Sequence, residues 1–419
     1  MIVSYSLENF KSYRDKKQMC FFATNSKAKK RYPENYITQS GVDVYKTAII
    51  VGENAGGKTS LVSSLSFLRS MLNTVDEQVK SYRNLCFYGS FEDDQPVSSF
   101  IEKTRQSFCL EVLGSDNQLY KYSLTVDAAG VEYERLSVRQ SFKKSEICIF
   151  ELRGSEIEEI GEQQIQRKYN LTINSKYDND KVIGNSDFIN NREKNGLFVK
   201  VLSLLGVKEA TVFMEWINKS LSVNFERLPL DLYYRIKNKD SYDDSMISTL
   251  KKKEFFDIFC LVDSSIRGIE VDEEKPFEDT LIIREIGEMK VSNKLSGDSS
   301  GVKQFFALAY EVYKVIFEGK VLVADEYDSF LNPILTQRLI SYINSFDGHG
   351  QFIFTTHNVT HLNLQTFMKE QMFVVTKSKS TLESDLYSLR EFKDLRYDSN
   401  QKIYEFYLKG LLGGVGNYE

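Results

Sequence analysis

The run Gly52-Glu53-Asn54-Ala55-Gly56-Gly57-Lys58-Thr59 matches the pattern G-x-x-x-x-G-K-S/T. Its residue types suit one chemistry, the grip on a chain of phosphates. Glycines let backbone N–H groups close around phosphate oxygens, where a side chain would block the approach. A helix beginning at Lys58-Thr59-Ser60 would aim its positive end at the same oxygens. Lys58 would bridge the β- and γ-phosphates of ATP, and the Thr59 hydroxyl would ligate Mg²⁺. A second constellation, Val321-Leu322-Val323-Ala324-Asp325-Glu326, is an apolar run ending in two carboxylates. Asp325 would hold Mg²⁺ through water, and Glu326 would orient or deprotonate the attacking water. A third, Phe352-Ile353-Phe354-Thr355-Thr356-His357-Asn358, is an apolar run ending in an imidazole. His357 supplies an imidazole, able to donate or accept a proton near neutral pH. The chain has only 3 histidines, His349, His357 and His361. His357 and His361 at i, i+4 could pair on a metal, but no glutamate of an H-E-x-x-H motif or other third ligand accompanies them.

These groups need elements to carry them. Lys46–Val51 reads as a buried strand, and Leu61, Val62, Leu65, Leu68 and Leu72 recur at helical spacing after the glycine loop. The loop therefore joins a strand to a helix, the context the motif requires. Residues 2–7 and 18–24 predict an opening strand pair. Residues 107–138 predict an antiparallel stretch with turns at 114–117 and 127–130, extended by Ile147–Leu152. From about 155 to 284 the sequence turns charged and helix-compatible, with loops expected at 173–193 and 237–246. Asp178, Asp180, Asp240, Asp243 and Asp244 in those loops could be imagined as a metal-dependent nuclease centre; solvated loops are the better reading, since nothing fixes the carboxylates on one surface. A long apolar helix over Val302–Phe317 follows, then strands at 321–324, 351–355, 372–375 and 386–389.

Composition closes off other classes. Lys and Arg number 54 against 59 Asp and Glu, so the net charge of −5 offers no global attraction for nucleic acid. The five cysteines form no C-x-x-C pair, which excludes a zinc ribbon and fits a reducing, cytoplasmic setting. No stretch of about 18 apolar residues suggests a membrane span.

Asp325 follows Lys58 by more than half the chain, where compact phosphate-loop enzymes bring the second carboxylate sooner. Together with Asn9-Phe10-Lys11-Ser12-Tyr13, DSSGVKQFF at 298–306, Tyr327-Asp328-Ser329-Phe330-Leu331-Asn332-Pro333 and FYLKGLLGGVG at 406–416, the order of motifs resembles a bacterial ABC-class AAA-type ATPase, RloA/AbiL-like or OLD-like, of phage-defence systems.

The resemblance implies an α/β fold: an ABC-type P-loop ATPase head, with a central mixed sheet and an antiparallel β subdomain, split by a mainly helical insertion. The expected units are 1–154, 155–284 and 285–419. Leu295–Gln304 is similar to the ABC signature segment, which caps the γ-phosphate held by a second protomer. Its register is open between Ser296-Gly297 and Ser299-Gly301, and Ser299 beside a helix N-cap favours the latter. Residues 327–333 resemble the D-loop, and His357 takes the switch position. The implied protein is an ATP-dependent sensor or scaffold, at least a homodimer, controlling a separate effector such as a Toprim-type nuclease. The stretch after His357 is too short for OLD's own Toprim domain. Direct DNA binding, as in RecF/SMC-like ATPases, is the alternative.

Overall fold

The computed structural model describes residues 1–24, 26–73, 85–87, 97–159, 165–174, 176, 196–224, 242, 244–328, 331–392, 395 and 403–412. The opening strands β1 (Ile2–Glu8) and β2 (Lys17–Cys20) pair antiparallel as expected, Tyr5 opposite Met19. A short helix α1 (Ser26–Arg31) and the hairpin β3 (Tyr36–Gln39)–β4 (Val42–Tyr45) lead into β5 (Thr47–Gly52), which is buried throughout. Helix α2 (Lys58–Asn73) buries Leu61, Val62, Leu65, Leu68 and Leu72, the stripe read from the sequence. After α3 (Val97–Thr104) the chain forms a meander of β6 (Gln106–Leu113), β7 (Leu119–Asp127), β8 (Gly130–Arg139), β9 (Ile147–Glu159) and β10 (Ile165–Ile173). With the first two strands these make a seven-stranded antiparallel sheet, ordered β10-β9-β8-β7-β6-β1-β2.

The boundary expected at 154/155 cuts through β9 and is corrected by this sheet. Strand β9 runs to Glu159 and pairs with β10 along its length, Glu159 opposite Ile165 and Leu152 opposite Leu171. The misreading has a physical source. Glu156-Ile157-Glu158-Glu159-Ile160 is charged and carries apolar residues at a spacing of three, which a helix and a half-exposed hairpin both accept.

Between there and residue 284, helix is confined, among the described residues, to α4 (Phe198–Leu204), α5 (Lys208–Glu215) with a π-helical turn over Trp216–Ser220, α6 (Asp244–Leu250) and α7 (Lys253–Phe259). Strands also occur here: β11 (Leu221–Asn224), then β12 (Ile266–Glu270), β13 (Leu281–Ile286) and β14 (Met289–Lys294), the last three forming a small antiparallel sheet. The Glu134 carboxylate on β8 ties α4 down, accepting the N–H groups of Phe198 at 2.6 Å and Val199 at 2.9 Å.

The C-terminal part supplies α8 (Ser300–Glu318), β15 (Val321–Ala324), α9 (Pro333–Ser345), β16 (Gln351–Thr356), β17 (Met372–Lys377), β18 (Ser384–Ser388) and α10 (Ile403–Leu408). A six-stranded central sheet results, ordered β11-β15-β16-β5-β17-β18. It is parallel except for β18. Both faces are buried, which explains the unbroken apolar runs. Ile50, Val321, Val323 and Ile353 face α2 and the antiparallel sheet. Ile49, Val51, Leu322, Phe352 and Phe354 face α8 and α9. Gln351 locks the N-terminal strand to this sheet: its amide accepts from Ile2 N at 2.7 Å and donates to Tyr45 O at 2.9 Å.

Candidate functional site

The three motifs end neighbouring strands. The phosphate loop follows β5, Asp325-Glu326 follows β15 and His357 follows β16. Because those strands are parallel and adjacent, all three groups emerge at one end of the sheet. Crossing from α2 to β15 returns the chain to the same layer, so a long sequence separation costs nothing in space.

The loop itself is shaped by close backbone approaches. A Cβ on Gly52 would lie 2.3 Å from Val375 O. Gly57 has φ +121°, and a Cβ there would lie 2.4 Å from Ser384 Oγ. Ser384 holds the loop from β18, its hydroxyl donating to Gly56 O at 2.6 Å and its N–H to Ser12 O at 2.7 Å. Tyr13 OH donates to Gly57 O at 3.2 Å. Glu53 O accepts from Gly56 N, while Asn54 and Ala55 are exposed at the tip with Ala55 at φ +61°. Asn54, Ala55, Gly56, Gly57, Lys58, Thr59, Ser60, Glu326 and His357 share a cavity of about 230 Å³.

Within it the side chains form one network. The Lys58 ammonium donates to Gly52 O at 2.8 Å, Glu53 O at 3.0 Å and His357 Nδ1 at 3.3 Å. Lysine has no acceptor, so Nδ1 is the bare nitrogen and Nε2 carries the proton. That N–H faces Glu326 Oε1 at 2.9 Å. His357 therefore bridges the lysine of the loop to the terminal glutamate. Thr59 Oγ1 donates to Asp325 Oδ2 at 2.7 Å. Thr355, which no sequence motif singles out, donates to Asp325 Oδ1 and accepts the N–H of Glu326 at 2.9 Å. Glu326 needs that anchor, since its φ of +48° is a conformation that a side-chain-bearing residue rarely adopts.

Burial governs the charges. It pushes the Lys58 ammonium down to about 8, against the pull of Asp325, Glu326 and Glu53. It pushes the Asp325 carboxyl up, opposed by hydrogen bonds from Thr355 and Thr59 and by Lys58, and reinforced by Glu326.

Other expected residues fall elsewhere. Ser299 and Gly301 do not line this cavity; Ser299 is the N-cap of α8, its Oγ accepting from Val302 N at 3.3 Å. Ser296 and Gly297 are also exposed, in a 3₁₀ turn. Asp328 is buried and accepts from Thr356 Oγ1 at 2.7 Å and faces His361 Nε2 at 3.0 Å, so His361 is a core partner and not half of a metal pair. Asn332 caps α9, accepting from Leu335 N at 2.8 Å with Pro333 in the first turn. Ser329 and Phe330 lie outside the described residues, as do Asp178, Asp180, Asp240, Asp243 and Gly413–Gly416. Asp244 starts α6, and no metal-ligating cluster of acids, histidines or cysteines occurs among the described residues. No described helix is long and apolar enough to cross a membrane. Ser12 and Lys377, which line the cavity, carried no individual signal in the sequence.

Known proteins can now be set beside this geometry. No curated protein matches the chain. Similar solved structures include an SMC head bound to the C-terminal winged-helix domain of ScpA (15% identity, TM-score 0.49, covering 92% of this chain and 97% of that one). They also include the SMC head domain of Thermotoga maritima (14%, 0.44, 92% and 98%). A third is an Smc head with an extended coiled coil bound to the C-terminal domain of ScpA from Pyrococcus furiosus (15%, 0.43, 92% and 96%). The family described as "AAA domain, putative AbiEii toxin, Type IV TA system" matches residues 48–363. That span runs from the phosphate-loop strand past His357, on an α/β fold whose sheet order gathers all three motifs. The chain belongs to this AAA-domain family, on an α/β fold that carries its phosphate loop between a central strand and a helix.

Proposed function

We propose that the protein binds and hydrolyses ATP as the sensor or scaffold subunit of a bacterial anti-phage system and controls a separate effector. The observation that carries the catalytic reading is the bridge His357 makes between Lys58 and Glu326. It links the group that would grip the γ-phosphate to the group that would act on water. A γ-phosphate entering the cavity competes for the Lys58 ammonium, which then leaves His357 and the loop carbonyls. His357 donates its Nε2 proton toward the phosphate, and Glu326 is released to orient a water. The hard oxygen donors Thr59 Oγ1 and Asp325 Oδ2, already in contact, fit Mg²⁺. When bound there, Mg²⁺ supplies charge neutralisation on the phosphate oxygens. Two protomers would share each nucleotide, Ser299 and Gly301 reaching the site from the partner, which accords with their position outside the cavity of their own loop.

The family's description names a toxin of a toxin–antitoxin system, which supports the defence role. The cytoplasm is the setting for both ATP and such an effector. The reading is tested by Glu326→Gln. Turnover should fall by roughly a hundredfold or more, while ATP-bound oligomer accumulates on size exclusion. An unchanged steady-state rate overturns the role given to Glu326. Phage plating on cells carrying the chain with its neighbouring genes should lose protection in Lys58→Ala. Undiminished protection removes ATP from the defence role.

A further inference from the structure

A larger cavity, about 600 Å³, opens at the other end of the central sheet. Its walls include Gly319, just before β15, and Asp347, Gly348 and His349, just before β16, so it lies away from the strand ends that carry the phosphate loop. Trp216, Phe317 and Phe346 give it aromatic walls, and the β6–β7 turn closes it. Its volume is that of an ordinary small-ligand site, in the range of roughly 300–1,000 Å³.

Charge is what makes the cavity specific. Glu318, Asp347 and His349 line it, and among the described residues neither lysine nor arginine does. The buried Met1 amine, which donates to Leu113 O at 3.2 Å, is pushed down to about 5 by burial and adds little positive charge near neutrality. Two helices end here, α8 at Glu318 and α9 at Ser345, and a helix C-terminus is the negative end of its dipole. Neither has a basic residue in its last turn. Instead α8 ends on an acid, where the dipole disfavours one. Lys46 donates to Asn344 O and Phe346 O and so offsets the end of α9, while Lys320 donates to Lys219 O and lies 3.9 Å from Glu318. An acidic, aromatic, concave site beside the C-terminus of α8 is matched by a cation on an apolar stem, through carboxylate pairing and cation–π contact.

We propose that this cavity binds an organic cation of the guanidinium or alkylammonium class, remote from the nucleotide and independent of its hydrolysis. The chemistry is shared by an arginine side chain on a partner protein and by a free polyamine.

Trp216 is the single tryptophan of the chain, so its emission reports this cavity alone. The full-length protein should be titrated with N-acetyl-arginine methylamide, with its uncharged isostere N-acetyl-citrulline methylamide, and with agmatine and spermidine. A saturable change in Trp216 emission is expected with the cations, with the citrulline probe at least about tenfold weaker. Glu318→Gln/Asp347→Asn should abolish that discrimination and leave ATP turnover intact; both side chains are exposed, so the variant folds. Tighter binding of the arginine probe than of the polyamines identifies a protein segment as the source, and the reverse order identifies a free amine. Equal affinity for the arginine and citrulline probes, or no saturable signal from any cation, overturns the proposal.

Discussion

At the scale of single residues, the site is an arrangement in which polar groups occupy one another until a triphosphate arrives. Lys58 satisfies its three donors on Gly52 O, Glu53 O and His357 Nδ1, and burial has brought it to about 8. Polyphosphate beside it favours the charged form and returns it toward the ordinary lysine range near 10.5. The linkage then fixes the sign. Near pH 8 the free protein holds Lys58 only about half protonated, so nucleotide binding takes up on the order of half a proton, and affinity falls as pH rises further. Calorimetry in buffers of different ionisation enthalpy should read that uptake at pH 8 and lose it near pH 6. No uptake at pH 8 would mean that Lys58 is not the phosphate ligand. The same depressed ammonium costs folding stability below about pH 8, a cost relieved as pH rises from there toward the unfolded-state value. Thr355 makes a second residue-scale prediction. Thr355→Val keeps shape but leaves Glu326 N–H and one Asp325 oxygen without their partner, at a cost of about 1–3 kcal/mol. Chemical denaturation should show that loss, and the Mg²⁺ concentration needed for half-maximal turnover should rise. A wild-type metal requirement would confine Thr355 to a packing role.

Elements account for what the sequence revealed and what it hid. Strands β5, β15 and β16 were legible because each is buried on both faces and reads as an unbroken apolar run next to a chemical motif. Helix α8 was legible from its broad apolar face. The second half of β9 and all of β10 were not, because charged residues there surround isolated isoleucines and no turn motif marks 160–164. Nor could the sequence expose the long-range polar pins, Glu134 on α4, Gln351 on the first strand and Ser384 on the phosphate loop. Each joins segments whose proximity only the fold creates. In the site, Lys58, Asp325, Glu326 and His357 announced themselves by motif, while Thr355 and Ser12 are defined by neighbours rather than by type. The packing of α8 is itself testable. Phe306 meets Phe255, Phe259 and Phe277 edge-on, with ring centroids 5.1, 5.1 and 5.4 Å away. Phe306→Ala removes the centre of that cluster and should cost about 3–5 kcal/mol, read as a lower denaturation midpoint. A shift below about 1 kcal/mol would show that α7 and the small sheet do not depend on α8.

For the whole molecule, the open question is whether one chain completes its own site. The segment proposed as the signature is tied down by Asp298 paired with Arg284 at 2.7 Å and by Leu295 N bonded to Thr280 O at 2.8 Å, and Ser299 and Gly301 lie outside the phosphate-loop cavity. A helix N-terminus that stands outside the cavity of its own loop suits a partner's phosphate. Gly301 permits a clean test, since a Cβ there meets nothing within 4 Å. Gly301→Glu puts an acid in the first turn of α8, where the dipole tolerates it, so the fold survives while phosphate is repelled. Lys58→Ala disables the loop of its own protomer. Each variant alone should be inactive. Mixed in equal amounts, about half of the dimers pair the two, and each such dimer rebuilds one intact site from the loop of one chain and the signature of the other. Roughly a quarter of wild-type turnover should return on mixing. Mixing that restores nothing, while both variants still dimerise, places the signature in cis and removes the shared site.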